Sequence, residues 1–403
     1  MTGGNRLSSL VGSASIVMAV ALLGDSMLYA VLPTQAAELG IPTALLGVLL
    51  SVNRWVRLLT NSVAAVVFRR WGARRGMAFG ALLTIGSTTA YGVFPYFAAM
   101  LPARMAWGGA YSLLRLGCYG AVLHEATELT RGRLMGLYTS ISRMGSVVAA
   151  VLGGILAEVL GFRWTAVAFG LMGMFILTLS IRVGRTLDQS TLPLPAPTPR
   201  RRRWMPRLHA GLRLGFIASV SSFVGHGVVV ASVGLLLVER YGAEVPLGDG
   251  HVGAAVAAGI LVAIRFAGDL LSPIFGHASD RRGRGAVAWT SGIATVIGIV
   301  ALTLVPHPVA FTLATTLVFL ATSAFQIALE TWTADAARGS DWTGVMSQFA
   351  TLRDIGTALG PLLALPLAAV FGFEPVFLGV AVVLAVALAL LPRRRGGLAP
   401  VPG

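Results

Sequence analysis

The sequence predicts an all-α membrane protein with twelve transmembrane helices in two six-helix bundles and both termini in the cytoplasm. Three observations support this fold class. Of the 403 residues, 56% are hydrophobic and only 12% are charged, which is too little polar surface for a soluble protein of this size. The apolar residues form runs long enough to cross a bilayer, and sequence motifs of the first half recur in the second half.

Apolar runs bounded by charges or by Pro/Gly turns define twelve predicted membrane segments, which we call spans 1 to 12. A helix needs about 20 apolar residues to cross the hydrocarbon core. The first run is too long for the apolar region of a signal peptide and lacks a small-residue cleavage site, so we expect it to be span 1. The spans lie near residues 10–32, 44–67, 77–95, 98–123, 135–160, 162–182, 211–238, 252–275, 285–305, 309–331, 344–370 and 373–392.

The positive charge is sorted to one side of this topology. All 31 basic residues are arginine, and the net charge is +15. The N-terminal segment, the C-terminal tail and the loops that follow even-numbered spans hold most of them, whereas the opposite loops contain only Arg163 and Arg240. The positive-inside rule assigns the arginine-rich side to the cytoplasm, and we expect a bacterial inner membrane. This sorting accounts for the charge without nucleic acid as a partner. The single cysteine, Cys118, can form no internal disulfide.

The domain organisation follows from a linker between spans 6 and 7. We expect an N-terminal bundle at 1–183, a cytoplasmic linker at 184–210 and a C-terminal bundle with a basic tail at 211–403. Within the linker, prolines alternate with other residues before four consecutive arginines, which is typical of an extended chain. A tether that fixes topology is the simpler interpretation, and binding to anionic lipid headgroups is the alternative.

An internal repeat relates the two halves. Gly72 matches Gly283 at an offset of 211 residues, and Arg54 matches Arg265 at the same offset. The repeat predicts two parallel bundles with a substrate site near the membrane midplane between them.

The loop between spans 8 and 9 reads GHASDRRGR. It resembles the G-x-x-x-D-R-x-G-R motif that the major facilitator superfamily carries after its second and its eighth helices. The resemblance covers essentially the whole chain, and it implies a secondary transporter that works by alternating access. The matching residues, which would latch cytoplasmic helix ends, are Gly276, Asp280, Arg281, Gly283 and Arg284.

The corresponding loop of the first half departs from the motif. Arg70 and Gly72 are retained, but Arg69 stands where the family has an acid. We expect an acid beyond span 4, Glu125 or Glu128, to compensate by pairing with another arginine of the loop.

Further motifs within the spans resemble proton-driven exporters of the same superfamily. Span 4 has R-x-x-x-G, and spans 5 and 11 have spaced glycines that predict close helix packing or a hinge. In span 5, Ala149 and Ala150 replace the Gly-Pro of the family motif. The residues concerned, besides Arg104 of span 4, are Gly108, Gly145, Gly153, Gly154, Gly356, Gly360 and Pro361.

Eleven ionisable groups are predicted to lie within the spans. A charge near the bilayer centre costs roughly 2.5–3.5 kcal/mol on insertion scales, so these groups must pair or line a wet cavity. Seven are basic and four are acidic, which favours an anionic or zwitterionic ligand over a cation. They are Asp25, Arg54, Arg57, Arg104, Arg115, Arg143, Arg265, Asp269, Glu330, Arg353 and Asp354.

Roles are assigned to these residues by depth and spacing. Asp25 lies near mid-depth in span 1, and the resemblance places Arg104 beside it, so we expect this pair to couple transport to protons. A purely structural pair and a direct substrate contact are the alternatives. Arg265 and Asp269 have the i,i+4 spacing of an intrahelical pair.

The remaining candidates divide between the cavity and the gate. Candidates for the substrate cavity are Asn53, Arg54, Arg57, Arg115, His226, Arg265, Asp269, Gln326 and Glu330. Candidates for a cytoplasmic gate are the loop residues Arg70, Gly72, Gly276, Asp280, Arg281, Gly283 and Arg284, together with Arg143, Arg353 and Asp354.

The predicted function is proton-coupled efflux of a small organic molecule by a monomer. Uptake of an organic anion or a sugar-like nutrient by proton symport is the main alternative, and a non-transporting sensor on the same scaffold is the third. The sequence has no metal-site spacing, phosphate-binding loop, nucleophile elbow or dinucleotide fingerprint, so we expect neither enzyme activity nor a cofactor. The expected partners are the substrate, protons and the lipid bilayer.

Overall fold

The structure is a computed structural model that describes residues 10–127, 130–189, 208–247, 250–336 and 342–392. Most of the predicted linker, the basic tail and Glu128 lie outside these residues, so the predicted domain boundaries stay predictions. The described chain is almost entirely helical.

The first half contains six spans in five helices. Span 1 is α1 (Leu10–Gln35), and spans 2 and 3 are the two parts of α2 (Thr43–Val93). Span 4 is α3 (Phe97–Glu125). Spans 5 and 6 occupy α4 (Arg131–Met172) and α5 (Met174–Asp188).

The second half repeats this order with more interruptions. Span 7 consists of α6 (Leu208–Ser222), a π-helical segment (Phe223–Val229) and α7 (Val230–Tyr241). Span 8 consists of α8 (Ala254–Leu270) and α9 (Ser272–Arg282), which meet at a bend of 53°. Spans 9 to 12 are α10 (Arg284–Leu304), α11 (Pro308–Ala336), α12 (Trp342–Phe371) and α13 (Phe373–Ala389).

Length and composition alone identify only part of this set as membrane helices. Six described helices are long and apolar enough to cross a membrane, and the bent pair α8 and α9 makes a seventh. The helices α2 and α3 are outside this group, and they contain four of the intramembrane arginines, which lower their mean hydropathy. Hydropathy alone therefore fails to identify these spans, and the repeat and the order of the helices are needed to assign them.

A short β-hairpin between spans 7 and 8 was not predicted. Strands β1 (Glu244–Leu247) and β2 (Gly250–Gly253) pair antiparallel, with Val245 opposite Val252. Four residues are too few to show an alternating pattern in the sequence. The hairpin satisfies the backbone of a loop and leaves the all-α class unchanged.

The internal repeat is visible in the backbone conformation at two pairs of glycines. Gly72 and Gly283 have φ values of 81° and 90°, and Gly161 and Gly372 have φ values of 77° and 83°. Both pairs are separated by 211 residues. Each of these glycines stands where one span ends and the next begins, in a region of φ that other residues rarely adopt. The same local break therefore reverses the chain at matching positions in both halves.

Small residues hold the inner helices close together. A side chain at Gly145 would meet the backbone of Ala19, which joins spans 5 and 1, and one at Gly356 would meet the backbone of Ser219, which joins spans 11 and 7. Gly154 lies against the backbone of Ala255 in the other bundle. The remaining packing candidates also make close approaches: Gly108 to Asn53, Gly153 to Met27 and Gly360 to Gly227, while the carbonyl of Pro361 lies at Gly47.

The apolar core is shared between the bundles only towards the outer ends of the spans. One buried cluster joins Leu32 and Leu46 of the first bundle to Val230, Ala254 and Leu365 of the second. A separate cluster, from Val11 to Val183, belongs to the first bundle alone and fills its cytoplasmic half. The bundles thus pack on each other near the outer surface.

Replacing Gly372 by alanine tests the role of the positive-φ breaks. A Cβ at φ 83° meets the backbone clash of the left-handed region, so Gly372→Ala should destabilise the protein by about 1–2 kcal/mol. Gly379→Ala is the matched control, because Gly379 lies within α13 and has open space around it. Thermal unfolding of the purified protein in detergent measures both. Equal midpoints for the two variants would contradict this account.

Candidate functional site

A cleft separates the two bundles and is closed at its outer end. There, Glu158 of span 5 accepts a hydrogen bond from the backbone N–H of Ala255 of span 8 at 3.0 Å. Gly259 of span 8 lies against the carbonyl of Ala150, and Gly47 of span 2 lies against that of Pro361. These approaches leave no room for a solute between the outer halves.

The described polar contacts between the bundles lie at mid-depth and in the cytoplasmic half of the spans. Arg54 Nη1 of span 2 donates to the carbonyl of Thr357 of span 11 at 3.4 Å. Arg143 Nε of span 5 lies 3.2 Å from Asp269 Oδ2 of span 8. Although Arg143 lies within a span, 39% of its side chain is exposed. We call the space between spans 1, 2, 4 and 5 and spans 7, 8, 10 and 11 the central cleft. We infer that it opens towards the cytoplasmic side, because α6 and α9, the cytoplasmic parts of spans 7 and 8, pack chiefly within their own bundle.

Asp25 and Arg104 form a buried ion pair at the closed end of this cleft. Arg104 Nη1 donates to Asp25 Oδ1 at 2.5 Å, and Asn53 Nδ2 donates to the same oxygen at 3.2 Å. The Arg104 side chain is fully buried, whereas 13% of Asp25 is exposed. The pair that the sequence predicted is thus formed, with Asn53 as a third member from span 2.

The other donors of Arg104 tie it to the backbone. Its Nε donates to the carbonyl of Leu49 at 3.0 Å, and its Nη2 donates to Tyr29 Oη at 3.4 Å. Tyr29 in turn donates to the carbonyl of Leu50 at 2.8 Å. A planar guanidinium with donors in fixed directions suits this set of acceptors, which a lysine ammonium could not reach together. The cluster therefore connects spans 1, 2 and 4.

Asp269 is shared by two arginines from different bundles. Arg265 Nη1 donates to Asp269 Oδ1 at 3.0 Å within span 8, as the i,i+4 spacing predicted. Arg143 of span 5 forms an ion pair with the other carboxylate oxygen. The expected intrahelical pair is therefore also the point at which the two bundles are joined electrostatically.

Four arginines of the first bundle, Arg104 over Tyr29 among them, lie over tyrosine rings. The guanidinium carbon of Arg54 lies 5.0 Å from the ring centre of Tyr29, and that of Arg57 lies 4.6 Å from the ring centre of Tyr111. Arg115 lies over the same Tyr111 at 5.9 Å and over Tyr119 at 5.2 Å. Our sequence analysis missed these tyrosines. The i,i+4 spacing of Tyr111, Arg115 and Tyr119 on one helix was the available signal.

The second bundle contributes polar groups from spans 7, 10 and 11. Gln326 Nε2 donates to the carbonyl of Ala218 and to Ser222 Oγ, which joins span 10 to span 7. Glu330 and Arg353 form an ion pair at 3.3 Å, and both side chains are exposed. Asp354, the next residue, is the acid of the second bundle that interacts electrostatically with Arg115.

His226 occupies the middle of the π-helical segment of span 7. Its Nδ1 atom is buried, and the structure describes no hydrogen-bond partner for it. The charged groups that act on it are Arg265, Asp269, Arg353 and Arg143. π-helical turns inside α-helices are frequent at functional sites.

The predicted gate loops are organised within each bundle in this structure. Arg284 pairs with Asp280 across the break at Gly283 and with Asp335 of span 10, the latter at 3.0 Å. Arg70 and Arg281 are exposed. Gly276 has open space around it, so no close approach explains this glycine of the motif.

Of the two acids predicted to compensate for the altered first-half loop, Glu125 has other partners, and Glu128 lies outside the described residues. Glu125 accepts hydrogen bonds from the backbone N–H groups of Leu10 and Val11, so it caps the start of span 1. Asp188, at the end of span 6, instead accepts from Ala73 N at 2.6 Å and from Arg74 N at 3.1 Å, beside the break at Gly72. A carboxylate suits the N-terminal end of a helix, where backbone N–H groups lack partners. The prediction for Glu125 was therefore wrong, because the acid at this loop, Asp188, binds backbone N–H groups of the loop and not its arginine side chains.

Two open surface pockets lie away from these charges. One, of about 230 Å³, is beside Arg240, whose guanidinium donates to the carbonyls of Leu302 and Thr303 at 2.6 Å each. The other, of about 340 Å³, is an apolar groove between spans 7, 11 and 12. Among the described residues, no cluster of histidine, cysteine and acidic side chains could hold a metal ion. The central cleft is therefore the candidate site.

The sequence profile of the Major Facilitator Superfamily matches residues 14–272 and 257–402. The chain belongs to this superfamily. It is therefore a multi-pass membrane transporter and not an enzyme.

Individual proteins match this chain over shorter segments than the superfamily profile does. The chain is 33% identical over 122 residues to the multidrug resistance protein Stp of Mycobacterium tuberculosis (strain CDC 1551 / Oshkosh), a match that covers 29% of this chain and 22% of that protein. It is 28% identical over 201 residues to a probable vesicular acetylcholine transporter-B of Danio rerio, covering 46% and 40%. The matched segments thus span less than half of the length of these relatives.

The fold resembles solved transporters over its whole length. A bacterial homologue of the human lysosomal transporter Spinster, in an inward-facing and unoccupied conformation, superposes with a TM-score of 0.76. The match covers 96% of this chain and 97% of that one at 14% identity, so it shows the fold alone.

Removing the charges of the outer pair one at a time and together tests whether they stabilise each other. Arg104→Gln leaves Asp25 without its counter-charge and should destabilise the protein by about 3–5 kcal/mol. The double variant Asp25→Asn/Arg104→Gln should recover part of that loss, since no lone charge remains. Thermal unfolding of the single and double variants in detergent gives the coupling. Additive losses from the two substitutions would contradict a direct pair.

Proposed function

We propose that this transporter exports a small organic molecule from the cytoplasm in exchange for protons. The observation that carries this proposal is the Asp25–Arg104 pair, which is buried at the closed outer end of a cleft that is open on the other side. Asp25 keeps 13% of its surface exposed, so a proton can reach it, while Arg104 is fully enclosed. As a monomer in a bacterial inner membrane, such a carrier would draw on the proton gradient across that membrane.

Protonation of Asp25 would change how firmly spans 1, 2 and 4 are held together. When Asp25 is charged, it holds Arg104 and Asn53 and so ties spans 1, 2 and 4 together. Protonation removes the charge that Arg104 requires and weakens this tie. Breaking a buried pair costs about 3–5 kcal/mol, which is enough to shift an equilibrium between two conformations substantially.

The proposed direction is compatible with the state in which the Asp25–Arg104 pair is formed. Here the tie is made while the cleft opens to the cytoplasm, which is the state expected after Asp25 has released its proton to that side. The same state takes up solute from the cytoplasm. A cycle in which proton release and solute uptake occur in one conformation is an antiport, and the solute leaves the cell as protons enter.

The charges of the cleft favour an anionic or zwitterionic solute. Among the described residues, no carboxylate pairs with Arg54 or Arg57, whereas Asp25 and Asp269 each pair with arginine. A cation entering here would meet uncompensated positive charge. The multidrug resistance protein Stp is a relative whose name is compatible with export, although its match covers only part of both chains.

The fate of a proton gradient in everted membrane vesicles tests this proposal. The vesicles are acidified inside by respiration, and organic anions are added at the cytoplasmic face while a pH-sensitive dye reports the lumen. Antiport predicts that a transported anion raises the lumenal pH, and that Asp25→Asn abolishes this response. Glu38→Gln is the control, since it removes an exposed acid from the loop that follows span 1, outside the cleft, and should leave proton exchange intact.

Two results would contradict the proposal. If Asp25→Asn retained proton exchange, Asp25 would not be the coupling group. If a solute dissipated the gradient only in right-side-out vesicles, where it enters with protons, the carrier would be a symporter. Exchange of labelled solute without any gradient separates a damaged protein from an uncoupled one.

A further inference from the structure

One face of span 4 carries a continuous stripe of aromatic and guanidinium groups. Its residues follow one another at intervals of three or four, so they lie on one side of the helix. At 1.5 Å per residue the stripe is about 22 Å long, and it leads from the buried Asp25 pair towards the cytoplasmic end of the span. The members are Arg104, Trp107, Tyr111, Arg115 and Tyr119.

Tyr111 is the centre of this stripe. It receives two guanidinium groups, Arg57 from span 2 at 4.6 Å and Arg115 at 5.9 Å from the ring centre. On the outer side, the ring of Trp107 lies 5.4 Å away and is tilted by 31°. Towards the cytoplasm, Arg115 lies over Tyr119, which continues the alternation of rings and charges.

Stacking on a ring leaves the hydrogen-bonding edge of a guanidinium free. The five N–H donors of arginine lie in the plane of the group, while the tyrosine covers only a face. Among the described residues, no carboxylate pairs with Arg57. The acid that acts on Arg115 is Asp354, which belongs to the other bundle. Arg57 is thus held in place by Tyr111 and keeps its donors for another acceptor.

This combination selects one chemical class among the possible solutes. An aliphatic carboxylate would satisfy the guanidinium donors but would not stack on the rings. A neutral aromatic molecule would stack and leave the charge unsatisfied, and an aromatic cation would compete with the arginines for the ring faces. A flat aromatic ring that bears a carboxylate uses both features.

We propose that Tyr111, Arg57 and Arg115 form a binding site for planar aromatic carboxylates on the first-bundle wall of the central cleft. This inference rests on the proposed function in that it names the class of solute the carrier takes. The carboxylate lies against the free edge of Arg57, and the ring packs edge-to-face with Tyr111, whose faces are already approached by the two guanidinium groups.

Equilibrium binding of four matched probes to the purified full-length protein tests the site. The probes are 2-naphthoate, cyclohexanecarboxylate, 2-naphthamide and 2-naphthylmethylammonium, and isothermal titration calorimetry in detergent measures their affinities. Stacking and charge together predict that 2-naphthoate binds about tenfold or more tightly than each of the other three.

Two substitutions separate the contributions of ring and charge. Arg57→Gln should weaken 2-naphthoate about tenfold and leave 2-naphthamide unchanged. Tyr111→Leu should bring 2-naphthoate close to cyclohexanecarboxylate, because the ring contact is lost. Arg163→Gln and Tyr96→Leu are the controls, since both residues lie at the outer surface and should leave binding unchanged. Thermal unfolding verifies that every variant is folded.

The inference is overturned if 2-naphthoate fails to bind the folded wild-type protein or binds no more tightly than cyclohexanecarboxylate. It is also overturned if Arg57→Gln and Tyr111→Leu bind 2-naphthoate as the wild type does. The vesicle experiment with aliphatic anions distinguishes the two proposals. Proton exchange with aliphatic anions alone would support antiport and contradict the aromatic site. Binding of 2-naphthoate without any proton exchange would support the aromatic site and contradict antiport.

Discussion

The architecture depends on one constraint, which is that an ionised side chain within the membrane must have a partner or water. Insertion of each charge costs roughly 2.5–3.5 kcal/mol near the bilayer centre, so eleven of them would prevent the chain from spanning a membrane if they faced lipid. The protein meets this constraint in three ways. It buries Asp25 against Arg104, it shares Asp269 between two arginines, and it stacks the remaining arginines of the first bundle on tyrosines.

As a result, the two walls of the cleft differ in the charged groups that they present. On the first-bundle wall, arginines that lie over rings leave donors free, whereas on the second-bundle wall Asp269 and Glu330 are already paired with arginines. Arg143 crosses from one wall to the other to reach Asp269, so opening or closing the cleft must change the surroundings of that carboxylate. The asymmetry arises on a backbone whose two halves still break at matching glycines, which shows that side chains diverged while the repeat of the fold was kept.

The sequence was sufficient to predict the fold and the closest charge pairs. Twelve spans followed from apolar runs and from the repeat, and the Arg265–Asp269 pair followed from i,i+4 spacing. The Asp25–Arg104 pair required the family resemblance, because 79 residues separate its members. Asp188 could not be found, since it pairs with backbone N–H groups 115 residues away, and a charge pattern carries no trace of such a contact. The tyrosines were missed because apolar-looking aromatic residues on a membrane helix are usually assigned to packing.

Water access to the cleft is the property on which all of these interpretations rest. Single cysteines at Arg57, which faces the cleft, and at Leu59, which lies on the opposite face of span 2 with 74% of its side chain exposed, can report it through a membrane-impermeant thiol reagent. The native Cys118 is fully buried and gives a silent background. In everted vesicles, the cysteine at position 57 should react rapidly and the one at position 59 should not, since the latter faces lipid. Equal protection of both positions, or faster reaction at position 59, would contradict a water-filled cleft between the bundles.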